Sequence, residues 1–251
     1  MFVAASTECF PDLTLHDALE RLVDLEYSHV EVDLFEIGGH LPPSQVHANL
    51  EQAVRVCRDM HRLTPVSYYV DIQAEGPLYY EQFASCCKLA KATKVVTLTV
   101  RSGELGTPFN AEVERLRELV KIASLEGVVV GLKSEVGHMT QDPATAVVLC
   151  DNVKGLGITL DPSHYTFGPF AGVDYDNLFR YTCHTQLRDT SKSKLQVRVG
   201  QGEIEYGRLI SQLARFKYNR ALCVNIIDTK DPEIDHAVEM RKLRLLLESL
   251  L

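Results

Sequence analysis

Gly155-Leu156-Gly157-Ile158-Thr159-Leu160-Asp161-Pro162-Ser163-His164-Tyr165 sets a short apolar run against an abrupt polar turn. Gly157–Leu160 has the length and composition of a buried strand. The aspartate, serine and histidine that follow are costly at a strand end unless something pairs with them. Upstream, Asp142-Pro143 reads as a helix start, since proline is tolerated in the first turn. Helix, strand and polar turn form one unit, and the rest of the chain repeats it.

Seven further β-rich runs carry the pattern: Val3–Ser6, His29–Val32, Pro65–Val70, Val95–Val100, Val128–Leu132, Thr182–Leu187 and Ala221–Ile227. Helix-period segments begin near Leu15, Ser44, Tyr79, Ala111, Asp142, Tyr175, Tyr206 and Asp235. The segment from Ala111 places Val113, Leu116, Val120 and Ala123 on one face, and the last repeats this with Met240, Leu243, Leu247 and Leu250. Eight strands alternating with eight helices in 251 residues predict an α/β protein, a (β/α)8 TIM barrel of one domain over residues 1–251, rather than an open doubly wound sheet. No low-complexity linker divides the chain.

The charge is −8, from 26 basic and 34 acidic residues, which argues against a broad nucleic-acid-binding surface. No apolar run reaches the roughly 18–20 residues of a membrane span. The opening Met1–Ser6 has no basic region or cleavage-site pattern and reads as mature sequence. Seven cysteines, an odd number with no Cys-x-x-Cys, read as buried thiols of a cytoplasmic protein rather than a disulfide framework or structural zinc site.

In a barrel of this kind chemistry sits where strands end. Those windows hold Glu8, Glu31 and Asp33, Tyr69 and Asp71, Arg101, Lys133 and Glu135, Asp161 and His164, His184 to Asp189, and Asn225 to Asp228. Two or three structural ion pairs would explain some of these groups. Polar residues at nearly every strand end point to a charged pocket.

The sixth-strand stretch quoted above resembles the matching motif of xylose isomerase-like barrels, which include sugar and inosose isomerases, ketose 3-epimerases and apurinic-site endonucleases. His184-x-Gln186-Leu187-Arg188-Asp189, Gly200-Gln201-Gly202-Glu203-Ile204 and Val30-Glu31-Val32 extend the resemblance over essentially the whole chain. It implies a divalent ion held by four strand-end side chains. Residue by residue, those positions fall on Lys133, Asp161, Gln186 and Asn225, of which only Asp161 keeps the family's residue. A two-residue slip in the seventh strand would instead make His184 the ligand. A lysine ammonium has no lone pair for a metal, so the expectation is no cofactor and no metal at the usual site. In its place a Lys133–Asp161 ion pair is expected. A relocated site from Glu135, Asp161, His164 and His184 is the lesser alternative.

The leading reading is a sugar or polyol isomerase or epimerase-like barrel, with Asp161, His184, Glu135 and Lys133 as catalytic candidates. His164, Arg188, Glu31, Gln186 and Asn225 are candidates for substrate binding. Each histidine and Lys133 has a plainer reading as a hydrogen-bonded core residue. The cations from Arg188 to Arg198 read slightly better as a solvated loop than as an anion site. The expected partner is a small carbohydrate or anionic sugar derivative, with no nucleic acid and no membrane; a homo-oligomer is left open. The competing reading is a non-catalytic carbohydrate- or partner-binding barrel in which Lys133 fills the former metal position. A nuclease fares worst, because most ligands of a multi-metal site are missing.

Overall fold

The computed structural model describes residues 1–227 and 234–251; Asp228, named above at the eighth strand end, lies outside them. Eight parallel strands close into a barrel in chain order. They are β1 (Phe2–Ser6), β2 (His29–Phe35), β3 (Thr64–Asp71), β4 (Thr97–Val100), β5 (Val129–Lys133), β6 (Gly157–Leu160), β7 (Thr182–Leu187) and β8 (Ala221–Val224). Pairing of β1 with β8, from Phe2 opposite Ala221 to Ala5 opposite Val224, completes the ring.

The principal surrounding helices are α1 (Leu15–Asp24), α2 (Pro43–Ala48), α3 (Leu50–Arg58), α4 (Gly76–Thr93), α5 (Phe109–Leu125), α6 (Pro143–Asn152), the single turn α7 (Ser163–Thr166), α8 (Tyr206–Arg215) and α9 (His236–Ser249). Their starts follow local chemistry. The Thr14 side chain accepts from Asp17 N, Asp142 from Ala144 N and Thr145 N, and Asp235 from Val238 N, so each satisfies amides that a helix start leaves orphaned. Apolar faces of these helices, such as Leu116, Leu119 and Ala123 of α5, are buried against the outside of the strands.

Three expectations need correction. The helix placed near Tyr175 is a 3-10 segment over Asp176–Tyr181. β4 begins at Thr97 rather than Val95, because Lys94 takes a left-handed conformation and the Val95 amide still bonds Ala90 O in the cap of α4. β8 stops at Val224, short of Ile227.

Inside the barrel the floor is small, with Ala4, Ala221 and Cys223 buried beside Phe2 and Val66. Gly131 and Gly157 stand opposite each other on β5 and β6. A Cβ on Gly157 would lie 2.6 Å from Cys183 Sγ, and one on Gly131 2.4 Å from Thr159 Oγ1, so the close approach requires glycine. The seven cysteines are buried free thiols. Among the described residues no helix is long and apolar enough to cross a membrane.

Candidate functional site

Alternation along the strands aims every second residue into the barrel. The polar residues of the strand ends therefore meet in two levels.

The deeper level joins β2, β7 and β8. His184 Nε2 lies 2.7 Å from Glu31 Oε2, Gln186 Nε2 donates to Glu31 Oε1 at 2.6 Å, and Cys223 Sγ lies 3.8 Å from the same oxygen. All four residues are buried. Burial pushes the Glu31 carboxyl up, but attraction to His184, the Gln186 hydrogen bond and Lys133 outweigh it and hold it below its ordinary range. Burial and the Glu31 charge push the Cys223 thiol well up.

The upper level centres on Asp161. Its carboxylate accepts from Arg188 Nη2 at 3.1 Å and from the Ser163 amide at 3.1 Å, and it also accepts from Ser163 Oγ. Its backbone is fixed by Ser134, whose hydroxyl accepts from Asp161 N at 2.8 Å and donates to Asp161 O at 3.1 Å. Burial raises this carboxyl, yet Arg188, His164 and Lys133 together hold it below the usual range. His164 Nε2 stands 3.5 Å from Asp161 Oδ2 while its Nδ1 accepts from Val136 N. Burial lowers this imidazole to about 4; Asp161 opposes the fall, and Arg188 and Lys133 add to it.

Lys133 is buried, and its ammonium sits 4.5 Å from the centroid of the Tyr69 ring. Among the described residues no carboxylate comes within ion-pair distance of it, so the expected Lys133–Asp161 pair is not formed: Arg188, on the adjacent β7 side, reaches Asp161 instead. Lys133 acts at longer range, lowering Glu31, Glu135 and Asp161 together. The Tyr69 hydroxyl is buried without a hydrogen-bond partner among the described residues, and burial with the Glu135 charge keeps it protonated. Arg101 stacks over the same ring and bridges Asp71 at 2.9 Å and Glu135 at 3.1 Å. Burial raises the Glu135 carboxyl, but Lys133 and Arg101 bring it below the ordinary value. Asn225 Nδ2 donates to Glu8 Oε2 at 2.7 Å, and the amide oxygen of Asn225 has no hydrogen-bond partner among the described residues. On the β1–β2 side, Asp33 accepts from the Thr7 hydroxyl and stands 2.7 Å from His40 Nδ1.

The nine candidate residues thus fall into separate groups: Glu31, His184 and Gln186 in the deeper level, and the other six nearer the C-terminal mouth. Glu135 lies with Arg101, Asp161 with Arg188, and His184 with Glu31. The relocated donor set of Glu135, Asp161, His164 and His184 does not converge on one point. Sequence reading passed over Tyr69 and Arg101, although both stood in its strand-end windows, and it took Cys223 as core. Beside the mouth, a cleft of about 660 Å³ is lined by Arg188, Lys194, Gln196, Arg198, Phe167 and Ile227, among others. A second, of about 370 Å³, lies by Asp71, Arg101 and His138.

A family model described as the xylose isomerase-like TIM barrel matches residues 19–246. No curated protein matches the sequence. Among solved structures, a D-tagatose 3-epimerase-like protein superposes with a TM-score of 0.76 at 16% identity, covering 100% of this chain and 98% of its own. A xylose isomerase-like TIM barrel protein from Mycobacterium smegmatis in complex with magnesium gives 0.77 at 15%, over 99% and 97%. The IolI protein with a binding zinc atom gives 0.74 at 15%, over 100% and 99%. At these identities the likeness establishes the fold.

Proposed function

This chain belongs to the xylose isomerase-like TIM barrel family, and from that starting point we propose that it binds a small sugar at the C-terminal mouth and moves a proton beside its carbonyl. The observation that carries this reading is the Lys133 ammonium, which is buried against Tyr69 with no ion-pair partner among the described residues. A desolvated cation next to an unpartnered phenol is suited to an oxygen that gains negative charge during reaction.

The four positions at which the family would hold a divalent ion do not fit one here. Lys133 brings a positive charge and no lone pair. Asp161 is engaged by Arg188 and Ser163, and the amides of Gln186 and Asn225 are turned with their nitrogens toward Glu31 and Glu8. The proposed chemistry at the mouth therefore runs on the chain's own groups. Glu135, ionised and partly exposed, takes the proton from the carbon next to the carbonyl. The electron pair moves onto the carbonyl oxygen, where Lys133 and the Tyr69 O–H offset the charge. Return of a proton to the former carbonyl carbon, with the hydroxyl proton of the first carbon passing to the enolate oxygen, completes an isomerisation; delivery of a solvent proton to the opposite face of the first carbon restores the carbonyl and completes an epimerisation. Because Asp161 neutralises Arg188, a neutral sugar suits the mouth better than an anionic derivative.

The test is proton NMR in D2O with a panel of neutral ketoses, aldoses and sugar acids. Deuterium should enter at the carbon beside the carbonyl of one neutral sugar, and Lys133→Met and Glu135→Gln should each abolish it. A second reading, a binding barrel without turnover, draws support from the depth of Lys133 and from Asp161 being already paired. A ligand that raises the melting temperature without deuterium uptake would select that reading and overturn the catalytic one.

A further inference from the structure

Ala4 stands opposite Cys223 and Ser6 opposite Glu31, so β1 contributes only small side chains to the deeper level. Side chains of β2 and β8, which flank β1, can therefore meet across it. Glu31, Cys223 and His184 from β7 each bring one donor atom to a common region, with all donors within 4.8 Å of one another. His184 Nε2 and Glu31 Oε2 are 2.7 Å apart, yet neither has a hydrogen-bond partner of proper geometry. The two atoms are in ion-pair contact, but each keeps a hydrogen-bonding direction that no described residue fills, and a third group beside them would satisfy it.

We propose that Glu31, His184 and Cys223 form a site for one zinc-class divalent ion, one level below the mouth. Carboxylate, imidazole and thiolate together are a borderline-soft donor set, which zinc accepts readily and magnesium or calcium does not. Donors bonded tetrahedrally to one zinc stand roughly 3.3–3.6 Å apart; Cys223 Sγ stands 3.8 Å from Glu31 Oε1 and His184 Nε2 stands 2.7 Å from Glu31 Oε2, so the carboxylate turns one oxygen to each donor and the His184–Glu31 pair needs to open by about half an ångström. On binding, the Cys223 S–H bond breaks, its electron pair goes to the metal, and its proton leaves to solvent. Thiolate and carboxylate then balance the two positive charges of the ion, so the dry interior holds no excess charge. Gln186, whose amide oxygen is buried without a partner, or a water completes four ligands. Lys133 is the competing cation, but its pull on Glu31 is weaker than that of His184. The site shares no residue with the family positions 133, 161, 186 and 225 apart from that amide.

The full chain, freed of metal with a chelator, is titrated with Zn²⁺ and with Co²⁺ in the absence of any sugar. The result expected is one ion per chain, with a sulfur-to-cobalt charge-transfer band in the near ultraviolet. Cys223→Ala should remove the band and weaken binding at least tenfold, whereas Asp161→Asn should leave both. No stoichiometric binding, a cobalt complex without the sulfur band, or binding that survives Cys223→Ala and is lost in Asp161→Asn would overturn the proposal. If Cys223→Ala does not fold, X-ray absorption of the wild-type zinc complex decides: one sulfur at about 2.3 Å supports the site, and a shell of nitrogen and oxygen alone refutes it. No sugar enters the measurement, so its failure would leave the proton-transfer reading standing, and the reverse holds.

Discussion

Removing the Arg188 guanidinium leaves Asp161 as a buried carboxylate whose direct contacts are hydroxyl, amide and imidazole, with Lys133 acting only at longer range. Arg188→Ala is expected to cost about 3–5 kcal/mol in urea unfolding, the range for breaking one side of a buried pair. Lys133→Met should cost far less, because the ammonium has no close partner to strand and a thioether of similar size packs on Tyr69. Equal losses for the two variants would mean that the ion-pair assignment is wrong. His164 supplies a pH dependence. Its ordinary value of 6.5 falls to about 4 in the fold, so between those values the unfolded chain binds the extra proton. Stability from this residue is then complete above about pH 6.5 and is lost as pH falls toward 4, on the order of 3 kcal/mol in all. His164→Gln should flatten that part of the stability–pH curve, measured against wild type to cancel the carboxylates. Which residues line the mouth was legible from strand-end positions, but who pairs with whom was not. Lys133 and Arg188 flank Asp161 from opposite sides in the strand order, and only side-chain reach in the folded barrel awards the carboxylate to Arg188.

The β5–β6 seam tests the packing of single elements. In Gly157→Ala the new methyl would lie 2.6 Å from Cys183 Sγ and 3.1 Å from Tyr181 O, the second of these being backbone that cannot turn away. A loss of roughly 1–3 kcal/mol is expected for such overpacking. Adding Cys183→Ala removes the sulfur, so the double variant should lose less than the sum of the singles, and strict additivity would contradict the described contact. β6 and β7 match the sequence reading to the residue. β2 runs three residues further than its apolar signal, since Asp33, Leu34 and Phe35 are buried and still pair with β3. The polar Asp33 in that run looked like a strand end, but Thr7 and His40 satisfy its carboxylate. Tertiary partners, invisible in a linear pattern, let the strand continue.

Across the whole molecule the two ends of the barrel differ. The N-terminal end is floored by small residues and by Arg220, which donates to Thr97 Oγ1 at 2.8 Å. The C-terminal end carries the buried charges of the barrel interior: Lys133, Asp161 and Arg188. α9 seals the ring from outside: Tyr27 donates to Met240 O at 2.8 Å, and Arg244 pairs with Glu26 and Glu248. The alternation of strands and helices made this topology readable, whereas nothing linear indicated that Arg244 would tie the last helix to the first βα unit. On this scaffold the segment after β7 has an unusual tie. Asp189 Oδ2 accepts from Gly200 N at 2.7 Å and Gly202 N at 3.0 Å, and Glu203 N donates to Thr190 O at 2.8 Å. The segment therefore leaves and rejoins the barrel at one clasp, and is tied again farther out, where Gln196 and Ile227 exchange two hydrogen bonds and Val199 N donates to Glu239 Oε2 at 2.7 Å. Its exposed tip at Lys192–Lys194 is free to change length, since doubling a closed loop costs only about 0.6 kcal/mol in chain entropy. Inserting Gly-Ser-Gly-Ser after Ser193 should shift the melting temperature by no more than about 2–4 °C, the equivalent of about 1 kcal/mol. Asp189→Ala should make the same insertion more damaging, because the carboxylate that gathers the Gly200 and Gly202 amides at the base of the segment would be gone. The clasp makes this wall of the mouth a replaceable part, a place where new specificity can be installed without rebuilding the barrel beneath it.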